Sequence, residues 1–178
     1  PGARECTLRL HVGPAVTWVA SNRMVGNERL AAWADAMAAR AGATVRTIGT
    51  SQAGRPIRML EFAEAGAPED WVVVIGRQHP PEVSGATGLM AFMDEATGDS
   101  ARARDFRRAF RIALVPVVNP DGVDEGQWRS TLGAVDANRD WGPFTQQEVR
   151  AVRDAILALR ARPGARLWLA LDFHATNK

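Results

Sequence analysis

The segment WVVVIGRQHPPE, residues 71–82, decides how this 178-residue chain folds. Its first five residues are apolar and mostly β-branched, a pattern typical of a short strand covered on both faces of a sheet. Polar residues follow this run directly, and His79 stands three positions before Glu82. The segment therefore predicts a buried strand that leads into a loop carrying a histidine and a carboxylate.

A second apolar run, LWLALDF at residues 167–173, ends in a similar way, because His174 follows it. In open α/β sheets, ligands bind where strands lead into loops at their carboxyl ends. Two histidines and one glutamate form a ligand set that leaves zinc an open fourth position. The sequence therefore predicts one catalytic Zn²⁺ per chain, held by His79, Glu82 and His174. The alternative interpretation is that the histidines are structural residues with satisfied hydrogen bonds.

Dense polar clusters lie between the two strand ends. Asn, Asp and Gly favour turns, so the NPDG cluster at residues 119–122 is expected to be a turn that positions Arg129. For Arg129, as for Arg139, the alternative is a surface salt bridge. The clusters are NPDG at 119–122, QWR at 127–129 and VDANRDW at 135–141.

The order HPPE, NPDG, WR, VDANRDW and DFH resembles the zinc metallocarboxypeptidases, which remove single amino acids from peptide C-termini. The resemblance extends from Asn22 to the end of the chain. The ten-residue step from Asn119 to Arg129 is more similar to the cytosolic-type and bacterial branch than to the digestive branch, which has a longer insertion there. The implied fold is α/β, with a mixed, mostly parallel twisted sheet, helices on both faces and an incomplete C-terminus.

The resemblance makes His79, Glu82 and His174 the zinc ligands and Arg129 the residue that stabilises the oxyanion. The chemistry suits these residue types, because zinc acts as a Lewis acid and as a source of hydroxide near neutral pH. A fixed guanidinium aimed at the developing oxyanion stabilises the transition state more than the substrate.

The resemblance also implies that Asn138 and Arg139 bind the terminal carboxylate of the substrate. A planar carboxylate suits a forked guanidinium with an amide neighbour. Asp136 matches the carboxylate that hydrogen-bonds the first histidine ligand and orients it. Asp140 is the alternative for that role, and each of the two aspartates could instead cap a turn.

Two features depart from the family pattern. The family's general-base glutamate and its substrate-covering tyrosine lie well beyond the third ligand, whereas this sequence ends at Lys178 and contains no tyrosine. We expect the base downstream of Lys178, so residues 21–178 are interpreted as the N-terminal portion of a catalytic domain. Pro81 stands where digestive members carry an arginine, which removes one auxiliary substrate contact.

The predicted activity is hydrolysis of the C-terminal peptide bond of peptides or proteins by a metal-activated water. One alternative is a zinc-dependent deacylase or amidase acting on acyl-amino acids, which also carry a carboxylate. Another is a catalytically silent domain that binds zinc and peptide ends. The side chain of the released residue stays open, since acidic, basic, apolar and cell-wall peptide ends all fit.

Composition excludes several other classes of protein. Lys and Arg total 22 against 20 for Asp and Glu, a net charge of only +2. An arginine-rich run at residues 102–111 contains Asp105, so it predicts a solvated helix face rather than a nucleic-acid site. The lone Cys6 can form no internal disulfide. No apolar stretch approaches the roughly 18 residues of a membrane span, so we expect a soluble protein, either cytoplasmic or exported after leader removal.

The remaining pattern predicts the order of elements. Residues 27–41 form a helix that ends at Gly42, and Trp141 and Trp168 belong to the core. Residues 6–12 alternate weakly, so residues 1–20 contain an edge strand or the end of a preceding domain. Further expected elements are a hairpin of strands at 44–48 and 57–63, a strand at 110–118, a helix at 84–96 and a helix begun by the capping box TQQE at 145–148.

Overall fold

The computed structural model describes residues 7–17, 19–20 and 23–175. From residue 27 onward it confirms the expected order of strands and helices, with changes at their ends and a short helix at residues 120–124 where a turn was expected. The elements are α1 Asn27–Ala41, β1 Thr44–Thr50, β2 Pro56–Phe62, β3 Asp70–Gly76, α2 Val83–Ala96, α3 Ala101–Ala109, β4 Arg111–Val115, α4 Pro120–Asp124, a 3₁₀ turn Ala137–Arg139, α5 Gln147–Arg160 and β5 Arg166–Phe173.

The strands form one sheet in the order β1-β2-β4-β3-β5. β1, β2 and β4 pair antiparallel, whereas β3 pairs parallel with β4 on one side and with β5 on the other. The expected mixed sheet is thus confirmed, and its parallel half carries the strands β4, β3 and β5. The carboxyl ends of these three strands lie at one edge of the sheet, which is where loops can converge on a ligand.

Helices cover both faces of the sheet, as expected. On one face, Met37 of α1 and Leu89 of α2 belong to a buried cluster with Val72 of β3. On the other face, Val152 of α5 packs in a cluster that includes Val73. All seven residues of β3 are buried, which explains the uninterrupted apolar run at residues 71–75 within it. Full burial of a valine or isoleucine side chain, such as those at residues 72–75, stabilises the fold by about 1.5–3 kcal/mol.

The first helix has the predicted bounds and the predicted end. Leu30, Ala34 and Met37 are buried along one face of α1, as the helical spacing requires. Gly42 follows with φ of 66°, and its N–H bonds to the Ala38 carbonyl. A left-handed residue after the last turn is the usual end of a helix, and glycine adopts it without steric cost. None of the helices in the described part of the chain has the length and apolar composition needed to cross a membrane.

No strand is observed in the described residues near the N-terminus, where an edge strand or the end of a preceding domain was expected. Residues 7–12 form no strand and their side chains are exposed, while Cys6 lies outside the described residues. An alternating pattern becomes a strand only when a neighbouring strand binds its backbone groups. The assignment of residues 1–20 to a preceding domain stays a prediction.

The expectation that Trp168 belongs to the core is wrong in the described part of the chain. β5 pairs with β3 alone and lies at the edge of the sheet. Leu167, Trp168 and Leu169 are 40%, 58% and 48% exposed, so Trp168 does not belong to the core. An apolar run predicts a strand, but it does not determine which elements cover that strand.

The predicted start of the last helix is correct only to within two residues, and its capping box is absent. α5 begins at Gln147, and the preceding Gln146 makes no side-chain cap. The Thr145 hydroxyl donates instead to Asp140 Oδ1 at 2.7 Å, and Glu148 Oε1 accepts the Gln52 N–H at 3.0 Å. Asp140 also accepts the N–H groups of Thr145 and Gln146, so a carboxylate from the preceding 3₁₀ turn region takes the place of the predicted cap.

A buried carboxylate ties the turn between β1 and β2 to α4. Asp121 is fully buried and accepts hydrogen bonds from Ser51 Oγ at 2.6 Å, from the Ala53 N–H at 2.8 Å and from Arg55 Nη1 at 2.8 Å. Burial opposes ionisation of Asp121, but these donors outweigh it and hold the pKa of the carboxyl below its usual range. The network joins the hairpin to the loop that precedes Arg129.

Replacing Asp121 with asparagine should lower the free energy of unfolding by about 3 kcal/mol near neutral pH, because Arg55 loses its buried partner. The folded-state pKa of Asp121 is depressed, so its stabilisation is present above the unfolded pKa and is lost as the pH falls through the folded value. Urea unfolding of Asp121→Asn and the natural sequence across this acidic range tests the expectation. The gap between the two proteins should shrink as the pH falls.

Asp124 supplies a matched control, because it pairs with the same arginine from a more exposed position. Asp124→Asn should cost no more than about 1 kcal/mol. A gap for Asp121→Asn that stays constant as the pH falls would show that its carboxylate charge does not stabilise the fold.

Candidate metal centre

Two parallel neighbouring strands bring the predicted ligands together. Gly76, the last residue of β3, lies opposite Phe173, the last residue of β5. His79 and Glu82 follow the first strand and His174 follows the second. Residues separated by 92 positions in sequence therefore emerge side by side at the carboxyl edge of the sheet.

Glu82 lies between the two histidines and contacts both. Its Oε1 is 2.8 Å from His79 Nδ1, and its Oε2 is 2.7 Å from His174 Nδ1. One ligand atom from each of the three residues fits within 4.8 Å of the others. His79 and Glu82 are largely buried, and His174 is partly exposed. The three side chains thus form one cluster that is open to solvent on the His174 side.

The outward nitrogen of each histidine contacts a second carboxylate. His79 Nε2 is 2.8 Å from Asp136 Oδ1, and His174 Nε2 is 2.8 Å from Asp172 Oδ2. A carboxylate at Nε2 favours a proton on that nitrogen and leaves the Nδ1 lone pair free for a metal. Both free nitrogens face the Glu82 carboxylate. Imidazole and carboxylate donors suit zinc, so the residues present fit a Zn²⁺ ion.

The local charges favour an ionised Glu82. Burial opposes its ionisation, but the Ala175 N–H and the two imidazoles outweigh burial and lower its pKa. Burial also favours the neutral form of His174, but Glu82 and Asp172 outweigh it and raise the pKa of the imidazole. In the metal-free protein, Glu82 and His174 therefore stabilise each other's charged forms.

The two outer carboxylates differ in their surroundings. At Asp136, burial is outweighed by hydrogen bonds from His79, Arg129 and the Asn138 N–H, so its pKa is lowered. At Asp172, burial dominates and raises the pKa. The three donors around Asp136 thus lower its pKa, whereas burial raises that of Asp172.

The first turn of α2 approaches the His174 backbone closely. A Cβ built on Gly85 would lie 2.7 Å from the His174 carbonyl carbon and 2.8 Å from its oxygen. Only glycine leaves room for this contact. The same approach allows the Ala175 N–H to bond Glu82 Oε2 at 3.0 Å, which fixes the carboxylate from the β5 side.

Arg129 and Asp136 lie next to the cluster. Arg129 Nε donates to Asp136 Oδ2 at 2.6 Å, while the other oxygen of Asp136 binds His79 and the Asn138 N–H. The guanidinium side chain is about half exposed at 48%. Asp140, the alternative partner for His79, binds the residues before α5 instead. The contact to His79 is therefore made by Asp136.

Asn138 and Arg139 belong to the 3₁₀ turn that follows Asp136. The side chain of Arg139 is exposed, and it makes no hydrogen bond to another described residue. Asn138 is half-buried, and its backbone N–H binds Asp136. The pair thus follows Asp136, the residue that contacts His79, and neither side chain hydrogen-bonds another described residue.

Asn119 links three of the loops at this edge. Its Nδ2 donates to the carbonyls of Gln78 and Ser130, at 3.2 and 3.0 Å, and its Oδ1 accepts the Gly122 N–H at 2.9 Å. Gln78 precedes His79, and Ser130 follows Arg129. The NPDG cluster, expected to be a turn, instead forms the N-cap and first residues of the short helix α4. Its asparagine fixes the backbone beside a predicted ligand and beside the predicted oxyanion residue.

Two residues at the site were not predicted from the sequence. Asp172 binds His174, and Gln78 binds Asp172. Asp172 could have been predicted, because it stands two positions before His174 at the end of β5. Side chains two positions apart in an extended chain point to the same side. Gln78 carried no such signal, since its partners come from distant parts of the chain.

Comparisons with known proteins identify the family of this chain. The zinc carboxypeptidase family model matches residues 30–176. The chain is 35% identical over 103 residues to cytosolic carboxypeptidase 2 of Xenopus tropicalis, covering 54% of this chain and 11% of that protein. It is 26% identical over 188 aligned positions to carboxypeptidase B of Astacus astacus, covering 85% of this chain and 61% of that protein.

A solved metallo-carboxypeptidase from Burkholderia cenocepacia has a similar fold, with a TM-score of 0.73 and 29% identity over 84% of this chain and 41% of that one. The chain thus spans less than half the length of that structure and about a tenth of the Xenopus relative. Cytosolic and bacterial carboxypeptidases among the relatives confirm the predicted resemblance. Because the family match covers far more than half of the chain, this protein belongs to the zinc carboxypeptidase family.

Proposed function

We propose that this chain carries the zinc site of a metallocarboxypeptidase that hydrolyses the C-terminal peptide bond of peptides or proteins. The observation that carries the proposal is the placement of Glu82 between the Nδ1 atoms of His79 and His174, 2.8 and 2.7 Å away. His79, Glu82 and His174 would hold a Zn²⁺ ion, which would supply Lewis acidity and activate a water molecule for hydrolysis. The family assignment supports the same chemistry.

In this proposal, Asp136 has two tasks. Through Oδ1 it orients His79, and through Oδ2 it holds Arg129 Nε beside the ligand cluster. The guanidinium is thereby anchored at one nitrogen while its forked end stays available. Arg129 is proposed to donate to the carbonyl oxygen of the scissile bond, where negative charge develops in the transition state.

Asn138 and Arg139 are proposed to bind the terminal carboxylate of the substrate. The exposed, unengaged Arg139 side chain supports this role, because a bidentate pair with a carboxylate needs free guanidinium donors. Glu82, Asp136 and Asp172 are each engaged with a histidine. As the resemblance to the family implies, the proposed general base is a further carboxylate, a glutamate expected downstream of Lys178.

Arg139→Ala should raise the KM for peptides with a free C-terminus by roughly ten- to a hundredfold, because a charge-assisted hydrogen bond contributes about 1.5–3 kcal/mol. The change should affect KM more than kcat. Peptides with an amidated C-terminus provide the control, since they carry no terminal carboxylate and should be poor substrates for both proteins. An unchanged KM for free peptides would place carboxylate binding elsewhere.

The activity itself is tested by incubating a mixed peptide pool with the zinc-loaded protein, with and without a chelator, and following peptide masses. We expect stepwise, chelator-sensitive loss of C-terminal residues from free but not amidated peptides. Acyl-amino acids in a parallel reaction test the deacylase alternative. Cleavage of those compounds alone would replace the proposed activity, and bound zinc with no cleavage of either class would support a silent binding domain.

The residues released from the pool would define the side-chain preference. The word cytosolic in the names of several relatives supports the cytoplasm as the compartment we propose, with export after leader removal as the alternative. Free peptide or protein C-termini are the proposed partners.

A further inference from the structure

Gln78 is fully buried and lies between Trp141 and Asp172. Its Oε1 accepts a hydrogen bond from Trp141 Nε1 at 2.7 Å. Its Nε2 donates to Asp172 Oδ2 at 2.5 Å and lies 3.5 Å from His174 Nε2. Three segments distant in sequence thus meet at one amide.

The chemistry of these partners leaves the amide one orientation. An indole N–H can only donate, so the Gln78 atom that faces Trp141 must be the carbonyl oxygen. The NH₂ group must then face Asp172 and His174. An NH₂ group can only donate, so it cannot accept the proton of His174 Nε2 and must bind an acceptor on Asp172.

Asp172 Oδ2 consequently accepts from two sides, from Gln78 and from His174 Nε2 at 2.8 Å. An acceptor held in place next to Nε2 keeps the imidazole proton on that nitrogen. The lone pair of neutral His174 is then on Nδ1, the atom that faces Glu82.

We propose that Trp141 and Gln78 are positioning residues which, through Asp172, set the tautomer of His174 and present its Nδ1 to the metal. At His79, the same tautomer is favoured by Asp136, which contacts Nε2 directly. The structure thus orients the two histidine ligands by two independent sets of hydrogen bonds. This inference deepens the proposed function and rests on its metal site.

The test is ¹⁵N NMR of the histidine rings in the metal-free protein, at an alkaline pH where the rings are neutral, together with zinc titration. In the natural sequence, both His79 and His174 should carry the proton on Nε2. Gln78→Leu should shift His174 toward a mixture of tautomers and leave His79 unchanged, which makes His79 an internal control. Zinc affinity should fall roughly ten- to a hundredfold, the usual effect of losing a residue that orients a ligand.

Trp141→Phe provides a second variant, because it removes the donor that orients the amide but keeps an aromatic ring. It should shift His174 in the same direction, and it keeps the proposal testable if Gln78→Leu fails to fold. Gln147→Leu is the matched control, since Gln147 bonds the Thr50 carbonyl in an exposed position. It should change neither tautomer nor affinity.

A folded Gln78→Leu protein with the natural His174 tautomer and zinc affinity would overturn the inference. Failure of the metal site itself would be recognised differently, because the natural protein would then not bind zinc although the tautomers of the metal-free rings could still be measured.

Discussion

Alanine at either Glu82 or His79 is expected to abolish stoichiometric zinc binding, whereas the natural sequence should bind one ion per chain. Glu82 contacts Nδ1 of both histidines, so its loss leaves two imidazoles and no anionic donor between them. Loss of His79 removes a ligand and also leaves the Asp136 contact without its partner. The loss of affinity should exceed the roughly ten- to hundredfold effect of an outer residue.

Equilibrium dialysis followed by metal analysis measures the stoichiometry directly. His11→Ala is the matched control, because His11 is exposed and is not part of the cluster. That variant should keep one zinc ion per chain. Circular dichroism of each variant separates loss of the ligand from loss of the fold. Full zinc occupancy in folded Glu82→Ala or His79→Ala would rule out the proposed ligand set.

Arg129→Ala should lower kcat for peptide cleavage by roughly a hundred- to a thousandfold, the usual effect of removing one donor to the oxyanion. KM should change less, because the developing charge appears only in the transition state. Kinetics should be measured at saturating zinc, since loss of the Arg129–Asp136 pair also removes a donor from the carboxylate that orients His79.

Arg40→Ala is a suitable control for Arg129, because Arg40 is an exposed arginine on α1 that pairs with Asp94. It should leave kcat unchanged. Arg129→Lys keeps the charge but loses the forked geometry, so an intermediate kcat would indicate that charge alone supplies part of the stabilisation. If Arg129→Ala raised KM and left kcat intact, the residue would bind the substrate rather than the transition state.

Much of this fold is predictable from sequence because its central strand is covered on both faces. A run such as residues 71–75 has no polar position to accommodate water, so it specifies a buried strand. The hairpin and α1 are predictable for local reasons, namely turn residues and a helical spacing that ends in glycine. The candidate ligands could also be predicted, because they stand in the loops that follow the ends of two predicted strands.

Side-chain partners could not be predicted in the same way. TQQE at residues 145–148 satisfies the local rule for a capping box, yet Asp140 binds the groups that the cap was expected to bind. The exposure of β5 is also a property of the whole sheet, because an edge position depends on strand order. Such competition between local and distant partners is decided only when the chain is folded.

The sequence by itself determined which residues can bind a metal, because histidine and glutamate chemistry and the strand ends before them are local properties. Only the tertiary structure decided how those residues are held. The pairing of β3 with β5 places Glu82 between both Nδ1 atoms, and Asp136, Asp172 and Gln78 reach the histidines from separate loops. The physical reason is that a hydrogen bond requires a short distance and a suitable angle between two groups. The spacing of residues in the sequence does not specify either of them.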